Sequence, residues 1–289
     1  MNFPPAPFSW SKRRQRLWEF CRFGYYLHYY GASGGFDPDA PPHLRLIHEL
    51  KSLRSAHEYL LQIIADAVRR RFFGPEDAPE DGALYPELRR RFRSDCGRMF
   101  AGYSRRDHGI PMLTELYYDA EHPTRLARRL EAELREACVK LETELLPALR
   151  AVGGGRRLPL PSPLPVQIND LVCHIAPWIA LADGGTLCFI DAAGDDTTVL
   201  LHRYCALNRY HTPPDRVRSL QYLPLSGALR EVGMELNIGV TVRRLLDNAQ
   251  TMRNALRPDG SAAPEDFPRN EANCRECRFR RFCETGENP

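Results

Sequence analysis

Three cysteines crowd the last sixteen residues of the chain, Cys274-Arg-Glu-Cys277-Arg-Phe-Arg-Arg-Phe-Cys283, at spacings of three and six among Arg and Glu. A packed core has little use for thiols in so charged a stretch, whereas soft sulfur ligands select zinc or iron–sulfur clusters. Such a centre normally has four ligands. The best fourth candidate is distant: Cys21, in Arg16-Leu-Trp-Glu-Phe-Cys21-Arg-Phe-Gly-Tyr-Tyr26. If Cys21 joins the C-terminal three, one centre ties the first helix to the last loop. Spacing alone leaves zinc, a cluster and four unrelated thiols open.

The other five cysteines, Cys96, Cys138, Cys173, Cys188 and Cys205, fall in apolar or helical patterns and read as small buried hydrophobes. Nine cysteines, an odd number, do not suggest a disulfide framework. The start, Met1-Asn-Phe-Pro-Pro-Ala-Pro7, lacks an apolar run, and no stretch approaches the ~20 apolar residues that span a bilayer. No membrane partner and a cytoplasmic location are therefore expected. With 43% hydrophobic residues in 289, a buried core is affordable. The net charge of +3 neither demands nor excludes nucleic acid, but 37 of the 40 basic residues are Arg, leaving only Lys12, Lys51 and Lys140.

Taken in order, residues 9–30 mix aromatic and basic side chains with helical rhythm, and 43–73 predict one long helix with Leu46, Leu50, Leu53, Leu60, Ile63, Ile64 and Ala67 on its apolar stripe. A polar loop, 75–82, precedes a basic helix around 84–106 carrying Arg89-Arg-Arg-Phe-Arg93. Its Arg89, Arg90, Arg91 and Arg93 suit a phosphate-facing surface, because Arg grips phosphate oxygens bidentately; solvated helix faces are the plain alternative. A third amphipathic helix spans 123–152 and ends at Gly153-Gly-Gly155. From residue 165 the period changes to that of strands. Val166–Ile175 predicts one strand, Thr186–Asp191 a second and Val217–Leu225 a third; helices are predicted over 197–210 and 238–256. Strand, strand, helix, strand is the grammar of an α/β core. His202 and His211 read as packing or surface histidines, and no Ser-His-Asp arrangement is legible.

At this point the residues resemble a family: the RecB-like PD-(D/E)xK nucleases of the iron–sulfur subgroup, which includes AddB-type subunits and CRISPR-associated RecB-like exonucleases. The resemblance runs over nearly the whole chain. It rests on Cys21 followed by Arg22 and Tyr25-Tyr-Leu27, on the Leu50-Lys51 helix, on the strands carrying Asp170 and Asp191, and on Cys274, Cys277 and Cys283 preceded by Glu265-Asp-Phe-Pro268. It implies a single nuclease-like domain over 1–289 with a restriction-endonuclease-like core. The parts are an N-terminal helix over 9–30 with Cys21, a helical region over 43–152, an α/β core over 165–257 and a cysteine-rich clasp over 264–289. It further implies a 4Fe-4S cluster on Cys21, Cys274, Cys277 and Cys283, in preference to zinc, and Mg²⁺ or Mn²⁺ held by carboxylates at Asp170 and Asp191.

Departures from the family pattern accompany it. The lysine position is Ala193, the histidine position is Ala65, and the glutamine position four residues before Tyr204 is Leu200. An alanine neither ligates a metal nor stabilises an anion, and losing one charge-stabilising group slows catalysis by about 10²–10³. The expectation is thus a pseudonuclease that keeps the architecture and acts as a DNA-binding or assembly subunit, with DNA and protein partners in a nucleic-acid-processing complex. Two other readings stay open: an active nuclease with a relocated lysine, Lys140, and a protein–protein interaction module.

Overall fold

A computed structural model describes residues 8–73, 84–105, 112–151, 156–158 and 163–285. The predicted loop at 75–82 and Gly153–Gly155 lie outside them. The chain is mixed α/β. Strand β1 (Trp10–Ser11) leads into α1 (Lys12–Phe20), α2 (Arg22–Tyr26) and a wide π-turn, Leu27–Gly31. The helices α3 (Pro42–Ser52), α4 (Ala56–Phe73), α5 (Leu84–Arg105), α6 (Thr114–Tyr117), α7 (Pro123–Lys140) and α8 (Leu146–Ala151) follow. Strands β2 (Arg156–Arg157), β3 (Leu164–Ile168), β4 (Leu171–Ile175), β5 (Ile179–Asp183) and β6 (Thr186–Asp191) precede α9 (Asp196–Tyr210), β7 (Val217–Leu223), β8 (Ala228–Val232), α10 (Ile238–Arg253) and α11 (Arg280–Glu284).

The single helix expected over 9–30 is broken at Cys21, whose extended backbone (φ −163°, ψ 116°) ends α1 and begins α2. The long helix expected over 43–73 divides at Leu53–Ser55. That break leaves the Leu53 carbonyl free of helical duty, and Arg278 Nη1 donates to it at 2.7 Å. Helix α7 follows its sequence pattern: Pro123 occupies the first turn, where a missing N–H costs nothing, and Leu126, Leu130, Leu134 and Cys138 form a fully buried stripe.

The strand expected over Val166–Ile175 is instead a hairpin. β3 and β4 pair antiparallel, and the turn between them, Asn169–Asp170, puts Asn169 in the left-handed region (φ 53°), which Asn tolerates. β1 adds to this hairpin parallel to β4, giving a sheet of order β1-β4-β3. The second sheet runs β2-β5-β6-β7-β8. Within it β5 is antiparallel to β6, and β7 is parallel to β6 through the crossover helix α9. The register pairs Asp191 with Gln221 at the C-terminal ends of the two central strands. Helix α9 is launched by Asp195, whose carboxylate accepts from Thr198 N at 3.2 Å. Among the described residues no helix is long and apolar enough to cross a membrane.

Candidate cysteine clasp and strand-end site

The segment from Pro268 onward is bound to both flanks of Cys21. Asn270 Nδ2 and Asn273 Nδ2 donate to Phe20 O at 3.2 and 2.6 Å, and Phe23 N donates to Pro268 O at 3.2 Å. Tyr118 OH donates to Arg278 O at 2.7 Å, holding the segment from its other side. The four candidate thiols are thereby gathered. Cys277 and Cys283 each lie within electrostatic range of Cys21 and Cys274 as well as of each other or of Glu284. Cys21 and Cys277 are buried, Cys274 and Cys283 half-buried.

Backbone N–H groups already face two of the sulfurs: Gly24 N donates to Cys21 Sγ and Phe279 N to Cys277 Sγ, both at 3.4 Å. A Cβ added at Gly24 would meet Cys21 Cβ at 3.5 Å and Cys21 Sγ and the Phe279 ring at 3.8 Å, ordinary van der Waals contact, so the helix start packs closely on the sulfur. Burial is the main cause that pushes the Cys277 thiol up to about 12 and Cys283 up to about 11, and the neighbouring cysteines push the same way. A bound cation would invert that logic and favour the thiolates. Sulfur donors are of the soft kind that a thiophilic centre takes. Among the described residues no three His, Cys, Asp or Glu side chains close on a point as one bare ion would require.

The strand-end carboxylates separate. Asp191 finishes β6 with its side chain 15% exposed, and its Oδ1 accepts from Ala193 N at 3.3 Å. Burial raises its carboxyl to about 7, against the lowering pull of Ala193 N–H, Ala192 N–H and Arg69. Asp170 lies in the hairpin turn of the other sheet, 76% exposed and paired with Arg253 at 2.8 Å. That guanidinium holds its carboxyl below the usual range. The two acids expected to share one metal thus have separate partners in separate sheets.

Around Asp191 the structure gathers residues that sequence reasoning passed over. His202 of α9 is buried (1% exposed), stacks on Phe189 with ring centroids 4.7 Å apart, and contacts Ser219 Oγ through Nδ1 at 3.0 Å. Its Nε2 faces Asp191 Oδ2 at 3.9 Å. Burial pushes the imidazole down to about 3, so it is neutral. Arg69 lies on α4 one turn beyond Ala65, and Lys12 Nζ stands 3.5 Å from Asp195 Oδ2. Gln221 Nε2 donates to Ala192 O at 2.9 Å and fixes the loop after Asp191. Ala65 and Leu200 are buried, and neither they nor Ala193 carries a polar side chain to replace what the family pattern lacks.

The arginines expected to face phosphate are largely spent on neighbouring helices. Arg89 and Arg93 pair with Glu131 of α7, and Arg91 pairs with Asp66 of α4 at 3.0 Å and with Asp95 at 3.9 Å. Arg90 is exposed and makes no ion pair with the described residues. Replacing Arg89, Arg91 and Arg93 with Ala is expected to loosen the α4–α5–α7 packing and lower the thermal midpoint. The salt slope of nucleic-acid binding should stay unchanged, since paired arginines release no counterions from a phosphate; a flattened slope on a salt titration would contradict this. Lys140, the sequence's candidate for a relocated lysine, is occupied by Glu136 at 2.6 Å and by the Leu225 carbonyl.

No family model, curated protein or solved structure compared with this chain matches it.

Proposed function

We propose that the chain is a nucleic-acid-binding domain on a PD-(D/E)xK-type core, clasped by a four-cysteine inorganic centre and impaired in hydrolysis. The observation that carries this reading is the tethering of Pro268, Asn270 and Asn273 to Phe20 and Phe23, which brings the C-terminal thiols beside Cys21. The unit β5-β6-α9-β7, with an acid closing β6, supports the core assignment, as does the parallel pairing of β6 and β7. Asp170 in a hairpin turn and apolar residues at 65, 193 and 200 support the loss of hydrolysis.

A four-cysteine set suits zinc or an iron–sulfur cluster. We favour the cluster on the resemblance of the Cys21 and Cys274, Cys277, Cys283 segments to the iron–sulfur nucleases. The centre's role here is mechanical, joining α1 and α2 to the C-terminal segment.

A bound Mg²⁺ or Mn²⁺ would supply charge to a phosphodiester and lower the pKa of its attacking water. Toward such a group the chain offers Asp191 as an oxygen ligand, with Arg69 as the cation whose charge reaches it and Lys12 held on Asp195 four residues further on. Those cations favour a second reading, an active nuclease whose missing lysine is replaced by Lys12 rather than Lys140. The test is incubation of anaerobic protein with single- and double-stranded DNA and Mn²⁺. The leading reading expects binding without cleavage. Cleavage abolished by Asp191→Ala and Lys12→Ala, but not by Lys140→Ala, would establish the second; absence of binding would leave a protein-interaction module.

A further inference from the structure

His202 carries an unresolved debt in its surroundings. Its Nε2 is fully buried and has no hydrogen-bond partner, which native interiors rarely tolerate. The ring is not free to turn away, because Phe189 lies flat against it, with 12° between planes, and Nδ1 is held by Ser219 Oγ at 3.0 Å. In the tautomer whose Nδ1–H donates to Ser219 Oγ, Nε2 keeps its lone pair and has Asp191 Oδ2 as a neighbour at 3.9 Å. The 3.9 Å gap is too long for a hydrogen bond. Two ligand bonds of about 2.0–2.2 Å span it, so one ion fits between the two atoms at a wide angle. Asp191 is 15% exposed against 1% for His202, so its carboxylate is the part of the site nearer solvent.

We propose that His202 Nε2 and Asp191 Oδ2 are the two protein ligands of a divalent transition-metal site, with Ser219 as the positioning residue that sets the imidazole tautomer. Water or phosphate oxygens complete the coordination. A histidine that ligates through one nitrogen almost always donates the other N–H to an oxygen, the arrangement Ser219 provides. Imidazole with carboxylate favours Mn²⁺, Co²⁺ or Zn²⁺ over Mg²⁺. The imidazole thus comes from α9 and stands in for the one that Ala65 on α4 does not supply. This goes beyond the nucleic-acid reading, since occupancy requires neither DNA nor hydrolysis.

The test is a Mn²⁺ titration of the full-length anaerobic protein without DNA, followed by electron paramagnetic resonance. Mn²⁺ is chosen because a hard ion leaves the four thiols alone. One Mn²⁺ per chain with nitrogen-14 hyperfine coupling is expected. His202→Phe, which keeps a ring on Phe189, should abolish that coupling and weaken binding at least tenfold. Ser219→Ala should weaken binding by about 10–100-fold while keeping the coupling. Should His202→Phe fail to fold, the wild-type coupling and its response to Ser219→Ala and Asp191→Asn decide the question. No saturable Mn²⁺ binding overturns the proposal. So does coupling that survives His202→Phe. Lost DNA binding with an intact Mn²⁺ signal would count against the nucleic-acid reading alone.

Discussion

Phe267→Ala is expected to destabilise the fold by about 3–5 kcal/mol, the range for emptying a large aromatic site in a core. Phe267 is 2% exposed, and its ring meets four others from the first thirty residues: Tyr26 at 5.3 Å, Trp18 and Tyr25 at 6.1 Å, and Tyr30 at 6.3 Å. It is the apolar half of the bond between the two ends of the chain, with Asn270 and Asn273 as the polar half. Guanidinium unfolding of the variant checks the size, and limited proteolysis checks the place. Cleavage should appear first after Phe267, because the segment beyond it loses its anchor. A loss under about 1 kcal/mol would mean that the aromatic cluster closes without it.

Cys21→Ser is expected to have the second large effect, and the choice of serine isolates its cause. Cys21 caps α2 by accepting from Gly24 N, and serine is a preferred capping residue, so the cap survives the exchange. Hydroxyl oxygen is a poor ligand for iron or zinc, so any inorganic centre does not. A centre held a thousandfold below its working concentration stabilises the folded state by about 4 kcal/mol. Cys21→Ser should lose about that much against the loaded wild type and little against metal-stripped wild type. Equal loss in both comparisons would assign the effect to packing. Cys138→Ser, buried on α7 and outside the four candidate ligands, should leave the metal content unchanged.

The candidate thiols stood out by residue type, since thiols among charged residues have few uses and Cys21 precedes Arg22 and Tyr25-Tyr-Leu27; the tether of Asn270 and Asn273 to Phe20 brings the two segments together. The start of α9 was legible too, since Asp195 before an apolar helical run is a local capping signal. Other features were hidden for local reasons. Ile168-Asn-Asp-Leu171 keeps its alternation through a two-residue turn, so a hairpin looked like one strand and carried Asp170 away from Asp191. β5, Ile-Ala-Leu-Ala-Asp, is buried on nearly consecutive residues and has no alternation to detect, while β8 is mostly exposed.

The strand-end site was hidden for a non-local reason. His202, Ser219 and Asp191 meet only because β7 pairs parallel to β6 and α9 crosses between them, a register that no window of sequence contains. The partners of the Arg89–Arg93 run were hidden in the same way: Glu131 and Asp66 come from helices 25 to 42 residues away. Charge on a helix indicates a surface in the sequence, but packing decides whether that charge is already answered.

The central claim is that sulfurs from both ends of the chain hold one inorganic centre, and iron and acid-labile sulfide content of anaerobically purified protein tests it most directly. About four of each per chain, with broad visible absorption, is the predicted result. Protein that binds neither iron nor zinc, with its thiols freely alkylated at the stability of the untreated chain, would contradict it.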